Sequence, residues 1–138
     1  MRITSEPDGA TNDVQRVRDA LGAFNVQATG AKEYWPIRVF LRDDSGTLQG
    51  GLVGDIWGGW FHVELLWLAE GSRRQGHGSR LLRAAEEEAQ RKGARWAYLE
   101  TFSFQARPFY ERFGYEVFAE LADYPPGHTY YFMAKALG

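Results

Sequence analysis

Two periods of apolar residues organise this chain. Near the N-terminus, Val14, Val17, Leu21 and Phe24 recur at steps of three and four, the spacing of one helix face, and Thr11 or Asn12 supplies a capping side chain ahead of them. Gly22 interrupts this pattern, residues 25–35 read as a second short helix ending near Gly30, and residues 2–5 read as a short first strand. From residue 37 the character changes. Residues 37–41, 48–57 and 60–68 read as strands joined by turns at Asp43-Asp44-Ser45-Gly46 and Gly58-Gly59. Gly46, Gly50, Gly51 and Gly54, in or beside the second of these strands, point to a bulge or a close backbone approach. A strongly helical run beginning at Arg80 extends to about Lys92, with Gly93 as its C-terminal stop. Residues 94–101 are again strand-like, and 106–113 form a short helix with Pro108 in its first turn and Gly114 at its end. Residues 115–121 and 129–136 close the chain as two strands. The order predicts an α+β domain spanning 1–138, with one mixed sheet flanked by helices and a βαβ unit at its centre.

The stretch between the apolar run Val63-Glu64-Leu65-Leu66-Trp67-Leu68 and the long helix carries the most chemistry: Arg73-Arg74-Gln75-Gly76-His77-Gly78-Ser79. A strand, a Gly-spaced basic loop and a helix N-terminus together hold a pyrophosphate, because the first helical N–H groups lack intrahelical partners and carry partial positive charge. Gly76 and Gly78 let the backbone approach an anion without an intervening Cβ. A dinucleotide fingerprint would need Gly where Leu81 stands, and a nucleoside-triphosphate loop would need a Lys that is absent. An ordinary basic turn is the plain alternative.

Composition narrows the field. With 44% hydrophobic and 15% aromatic residues, 138 residues suffice for a packed core. A formal net charge of -2 argues against a nucleic-acid binder, which is normally basic. There is no cysteine, and His62, His77 and His128 show no metal-ligand spacing, so no metal is expected. No apolar run reaches the ~18 residues of a membrane helix, nor does the N-terminus read as a signal peptide, which leads to the expectation of a cytoplasmic protein without a membrane partner. Glu86-Glu87-Glu88 reads as a solvated helix face.

Four features together resemble the GNAT superfamily of acyl-CoA-dependent N-acyltransferases, in a small bacterial single-domain branch. Arg73-Arg74-Gln75-Gly76-His77-Gly78 fits that family's Q/R-x-x-G-x-G/A loop. Leu66-Trp67-Leu68 stands where the family has an apolar strand segment, Tyr110-Glu111-Arg112-Phe113-Gly114-Tyr115 fits its Y-x-x-x-G-F/Y signature, and the element order over 36–136 is the family's. The resemblance implies that the backbone of Leu66, Trp67 and Leu68 meets the pantetheine and thioester of acetyl-CoA. It also implies that the N–H groups from Arg74 to Ser79, beside Arg73, hold the pyrophosphate. Tyr110 aligns with the family's general acid, set against a plain core aromatic beside Phe109 and Phe113. The family's usual Asn ahead of this Tyr is absent, and Gln105 stands in its neighbourhood as a replacement contact.

Acetyl transfer to an amine also needs a base. His62 and Glu64 alternate on the strand before the loop, and either has the chemistry, with a solvent-facing polar residue as the alternative for each. Trp57, Trp60, Trp67, Phe102, Phe104, Tyr124 and Tyr130 offer walls for an apolar or cationic ligand, or ordinary packing. Asp123 and His128 read as turn residues of a Pro-Pro loop. The resemblance supports two readings. One is an N-acetyltransferase that moves an acetyl group from acetyl-CoA to a primary amine of a small molecule or protein. The other is a non-catalytic acyl-CoA-binding or sensor module on the same fold. Tyr110 with a base at His62 or Glu64 favours the enzyme. A homodimer is the family habit.

Overall fold

The computed structural model describes residues 1–9 and 11–138, and the chain divides into two units, Met1–Lys32 and Glu33–Gly138. The first unit holds one helix, α1 (Thr11–Thr29). It runs unbroken through Gly22 and Asn25, so the two short helices expected there are one. A Gly inside a helix costs only about 0.5–1 kcal/mol relative to Ala, too little to break it between good helix formers. The helix ends where Thr29 Oγ1 donates to the Asn25 carbonyl at 2.7 Å and accepts the Ala31 N–H at 3.1 Å. Residues 2–5 form no strand. Ile3 is their single apolar residue, and such a segment has no face to bury. Among the described residues no helix is long and apolar enough to cross a membrane.

The second unit is built on a six-stranded sheet with strands β1 (Tyr34–Arg42), β2 (Leu48–Trp57), β3 (Trp60–Leu68), β4 (Trp96–Phe102), β5 (Glu116–Ala122) and β6 (Thr129–Ala136). Their order is β1-β2-β3-β4-β6-β5, and only β3 and β4 run parallel. Strand β1 starts three residues earlier than residue 37 and takes in Pro36. A proline is tolerated there because β1 is an edge strand with one neighbour. Helix α2 (His77–Arg91) connects β3 to β4. Its Leu81, Leu82, Ala85 and Ala89 lie at helical spacing and are buried in one core with Ile37, Leu52, Phe61, Val63, Ala97, Leu99 and Met133 of the sheet. Each fully buried Leu or Ile there contributes about 1.5–3 kcal/mol. The short helix α3 (Arg107–Arg112) carries Tyr110 inward to the same core.

Glu86 departs from the expected solvated face. It is 8% exposed, accepts the Tyr115 hydroxyl at 2.7 Å and pairs with Lys135 Nζ at 2.9 Å. Lys135 also donates to the Phe113 carbonyl at 2.7 Å. Glu86 sits four residues after Leu82 on the inward stripe of α2, and its partners come from distant parts of the chain. Nothing local marks it off from Glu87 and Glu88.

Two backbone features give β3 its unusual course. Val53 of β2 faces Leu65 of β3 and Gly54 faces Val63, so Glu64 has no residue opposite it and forms a bulge. Gly54 makes the close approach there: a Cβ on it would lie 2.2 Å from the His62 carbonyl oxygen. On the other side of β3, pairing with β4 runs only from Trp60↔Trp96 to Val63↔Leu99. Beyond Val63 the two parallel strands are no longer paired.

Candidate active site

A cleft of about 550 Å³ occupies the gap where β3 and β4 part. One wall is β3 from Val63 to Leu68, and the other is Glu100 and Thr101 of β4 with Phe104, Gln105, Ala106, Phe109 and Tyr110 after it. Arg73 and Gly78 close the end toward α2. Backbone groups of an unpaired strand edge keep hydrogen-bonding capacity that a paired strand would use up, which suits an extended ligand laid along it. The cleft thus gathers Glu64, Leu66, Trp67, Leu68, Arg73, Gly78, Gln105 and Tyr110 of the residues singled out in the sequence.

The loop at its closed end is held in a specific shape. After a 3₁₀ turn at Glu70–Ser72, Arg74 takes φ 62 and Gly76 takes φ 80, both left-handed. Arg73 Nε donates to the Leu68 carbonyl at 3.1 Å, and Gln75 Nε2 donates to the Gly71 carbonyl at 2.9 Å, so these side chains brace the loop. His77 Nδ1 lies 3.1 Å from Arg80 Nη1. Gly76 occupies the N-cap position of α2 with no side-chain cap, and no acidic residue sits in the first turn. The N–H groups of His77, Gly78 and Ser79 therefore have no preceding helical carbonyl and no carboxylate competing for them, the conditions for binding a phosphate. Arg74, Gln75, Gly76, His77 and Ser79 lie in this loop and the first turn of α2 rather than in the cleft wall.

Tyr110 stands on the cleft floor, 7% exposed, with its ring edge-on to Phe109 (centroids 5.2 Å) and Tyr115 (5.9 Å). Burial disfavours the phenolate and pushes the phenol up to about 12. At neutral pH it is a proton donor. Gln105 Oε1 accepts the Phe102 N–H at 2.9 Å, which shapes the β4–α3 loop, while the residue lines the cleft.

His62 and Glu64 are treated differently by the bulge. Glu64 is exposed and lines the cleft. His62 is half-buried, with Nε2 at 2.8 and 3.1 Å from the two Glu100 carboxylate oxygens and its ring stacked on Tyr98 at 4.4 Å and 9°. It borders a second cavity of about 270 Å³ together with Asp55, Trp57, Gly58, Trp60 and Tyr98. Glu100 was not among the residues singled out in the sequence. Its one local signal is an acid alternating with Tyr98 in an otherwise apolar strand. The aromatics divide: Trp67 and Phe104 line the cleft, Trp57 and Trp60 the second cavity, and Phe102, Tyr124 and Tyr130 pack on one another with centroids 4.3–5.3 Å apart. Asp123 takes φ 53 and accepts the Gly127 N–H at 3.4 Å, a turn role, while His128 lies edge-on to Phe104 at 4.9 Å.

Comparison with known proteins points the same way. Residues 13–115 match the acetyltransferase (GNAT) family. A blasticidin-S acetyltransferase from Streptomyces morookaense is 40% identical over 116 residues, covering 81% of this chain and 85% of its own. A crystal structure of an Agrobacterium tumefaciens protein assigned to the acetyltransferases has a TM-score of 0.92 at 31% identity, covering 99% of both chains. An aminoglycoside 6'-N-acetyltransferase complexed with coenzyme A shares the fold, with a TM-score of 0.66 at 19% identity over 83% of this chain and 78% of that one.

Proposed function

The chain belongs to the GNAT family of acetyl-CoA-dependent N-acetyltransferases, and on that premise we propose that its acceptor is a primary amine of a small molecule, attacked directly on the thioester within the β3–β4 cleft. The observation that carries the reading is the convergence of a protonated Tyr110 and two acidic residues, Glu64 and Glu100, on one cleft that ends at Arg73 and the uncapped start of α2. Its volume is that of a small-molecule site. The similarity to a blasticidin-S acetyltransferase supports a small acceptor over a protein one.

The residues divide the work. Arg73 and the α2 N-terminus hold the pyrophosphate, and the edge of Leu66, Trp67 and Leu68 aligns the pantetheine, with Gln105 facing it from the other wall. The ammonium gives up a proton to a base at the cleft, the carboxylate of Glu64 or the His62–Glu100 pair, because only the neutral amine has a lone pair to attack. The C–N bond forms, the C–S bond breaks, and the nitrogen loses its second proton to solvent as the amide forms. Tyr110 donates its proton to the departing thiolate and regains one from solvent.

The test is thiol release from acetyl-CoA with a panel of primary amines, blasticidin S first, together with the mass of the product. A primary amine that gains one acetyl group as CoA is released supports the proposal. Acetyl-CoA binding without transfer to any amine, or transfer to hydroxyl acceptors alone, overturns it.

A further inference from the structure

We infer that the second cavity holds a further cationic group of the acceptor, with Asp55 as the residue that selects for it. The inference rests on the amine-acetylation reading and names the class of amine. It is one that carries a second positive charge, a guanidinium or an ammonium, a short chain away from the nitrogen that is acetylated.

Register sets the cavity out in two rows. Asp55 of β2 stands opposite His62 of β3, and His62 opposite Tyr98 of β4. Two residues along, Trp57 stands opposite Trp60, and Trp60 opposite Trp96. Side chains alternate along a strand, so both rows project from the face opposite Ile56, Phe61 and Ala97, which belong to the core under α2. The space of about 270 Å³ lined by Asp55, Trp57, Trp60, His62 and Tyr98 is therefore no packing gap of that core. Sites for a whole drug-sized ligand run to about 300–1,000 Å³, so this one takes part of a molecule. Trp57 and Trp60 stay 40% and 38% exposed. Trp60 is stacked on Trp96 at 5.4 Å and Tyr98 on His62 at 4.4 Å, which holds the rings as walls.

Indole and phenol rings attract a cation, and a carboxylate beside them supplies the formal charge it meets. The Asp55 carboxylate accepts the Tyr34 hydroxyl at 3.1 Å, a contact that orients it and leaves its charge in place. Among the described residues no Lys or Arg forms an ion pair with it. The negative field reaches the neighbouring phenols. Tyr98 is raised above its ordinary range first by burial and then by Glu100 and Asp55, and Tyr34 first by burial and then by Asp55, with Arg38 of β1 opposing. His62 and Glu100 join the two spaces. His62 borders the cavity, Glu100 lines the cleft, and Nε2 of the one lies 2.8 Å from a carboxylate oxygen of the other. Same-face residues along a strand are about 7 Å apart, so Glu100 stands one such step from the row of Asp55, His62 and Tyr98. A short alkyl chain spans that step, with the reacting amine in the cleft and the second cation at Asp55.

The experiment compares three acceptors in the wild type, Asp55→Asn and Asp55→Glu, with acetyl-CoA affinity and circular dichroism as checks on folding. Agmatine joins an amine to a guanidinium through a butyl chain, (4-aminobutyl)urea keeps that shape without the charge, and butylamine lacks the group. The wild type should prefer agmatine to the urea by at least about tenfold in kcat/KM. Asp55→Asn keeps an acceptor for the Tyr34 hydroxyl and removes the charge, and it should abolish that preference. The loss should fall on KM and leave kcat, because the contact is the same in ground and transition states. Asp55→Glu should retain part of the preference, and butylamine should react alike in all three proteins. A wild type that acetylates agmatine no better than its urea analogue overturns the subsite. So does a preference that survives in Asp55→Asn, an equal loss with butylamine, or a wild type that acetylates other amines and not agmatine. A wild type that acetylates no amine at all would overturn the amine reading itself, and the subsite with it.

Discussion

Two carboxylates of this molecule, Glu86 and Glu100, have nearly the same partners and opposite fates. Each meets a basic side chain at 2.8–2.9 Å, with an aromatic ring at its side. Register places them on opposite faces of the sheet: Lys135 faces Ala97 on the side of α2, while Glu100 alternates with Tyr98 on the other. The Glu86 cluster is the more enclosed of the two. Tyr115 is 1% exposed and gives its hydroxyl to Glu86, and Lys135 spends further hydrogen bonding on the Phe113 carbonyl. The Glu100 cluster is more open, with Glu100 lining the cleft and His62 bordering a second cavity. Similar pair chemistry is packed against protein in one place and left beside a space that a ligand can fill in the other. The difference lies in backbone geometry, since the parting of β3 from β4 opens one face while α2 closes the other.

Tyr110 touches both regimes, with its ring against Tyr115 and its residue on the cleft floor, so it separates them most sharply. Tyr110→Phe keeps the ring and removes the proton. General acid catalysis contributes about 10²–10⁴-fold, so kcat should fall by at least tens of fold while melting temperature and acetyl-CoA affinity hold. Because burial raises this phenol to about 12, its ionisation should not limit the rate until near that pH. Steady-state kinetics with an identified amine checks both points. Near-normal turnover would return Tyr110 to the enclosed, structural set. Tyr110→Ala should add a stability loss of about 3–5 kcal/mol from the vacated ring.

The contrast also explains what could be seen in the sequence. The strands of residues 48–57, 60–68 and 129–136 were legible because period-two runs and Gly-rich turns are local signals. The turn into α2 was legible because a Gly-spaced basic loop at a helix start is local too. Glu64, singled out by alternating with His62 on its strand, and Tyr110, singled out by its spacing to Gly114, both line the cleft. Glu86 was misread and Glu100 was not singled out, for one reason: each is defined by partners 29 to 49 residues away, and no period announces them. The unbroken α1 reflects a weaker local signal, Gly22, that carries too small a penalty to end a helix.

The more enclosed cluster should break through stability rather than rate. Glu86→Ala leaves a part-buried ammonium and a buried hydroxyl without their acceptor, and removing one partner of such a pair costs at most about 3–5 kcal/mol. Chemical denaturation should show that loss, while acetyl-CoA affinity of the folded fraction stays unchanged. The cluster also has a pH signature. Tyr115 is raised well above its ordinary range, first by burial and then by the Glu86 charge and hydrogen bond. The native state thus keeps a proton that the unfolded chain releases above about pH 10, and stability should fall as pH rises past that point. In Glu86→Ala the alkaline fall should be shallower. Equal slopes in the two proteins would show that the carboxylate does not hold the phenol.

The smallest effect belongs to the basic loop before α2, where a charge has neither burial nor a partner to make it structural. Arg74 is exposed and held at φ 62, and Arg74→Ala leaves that backbone shape and its strain in place while removing the guanidinium. Exposed charges contribute little to folding, so the melting temperature should stay where it was. A charge-assisted contact to a pyrophosphate matters to the ligand instead, and losing one should weaken acetyl-CoA binding by roughly tenfold. The loss should be greatest at low salt, because an exposed charge is screened as ionic strength rises. Calorimetry of CoA binding at two salt concentrations decides it. A variant that binds CoA as tightly as the wild type at low salt would assign the phosphate contact to the α2 N–H groups and Arg73 alone, leaving Arg74 a loop residue chosen for its backbone.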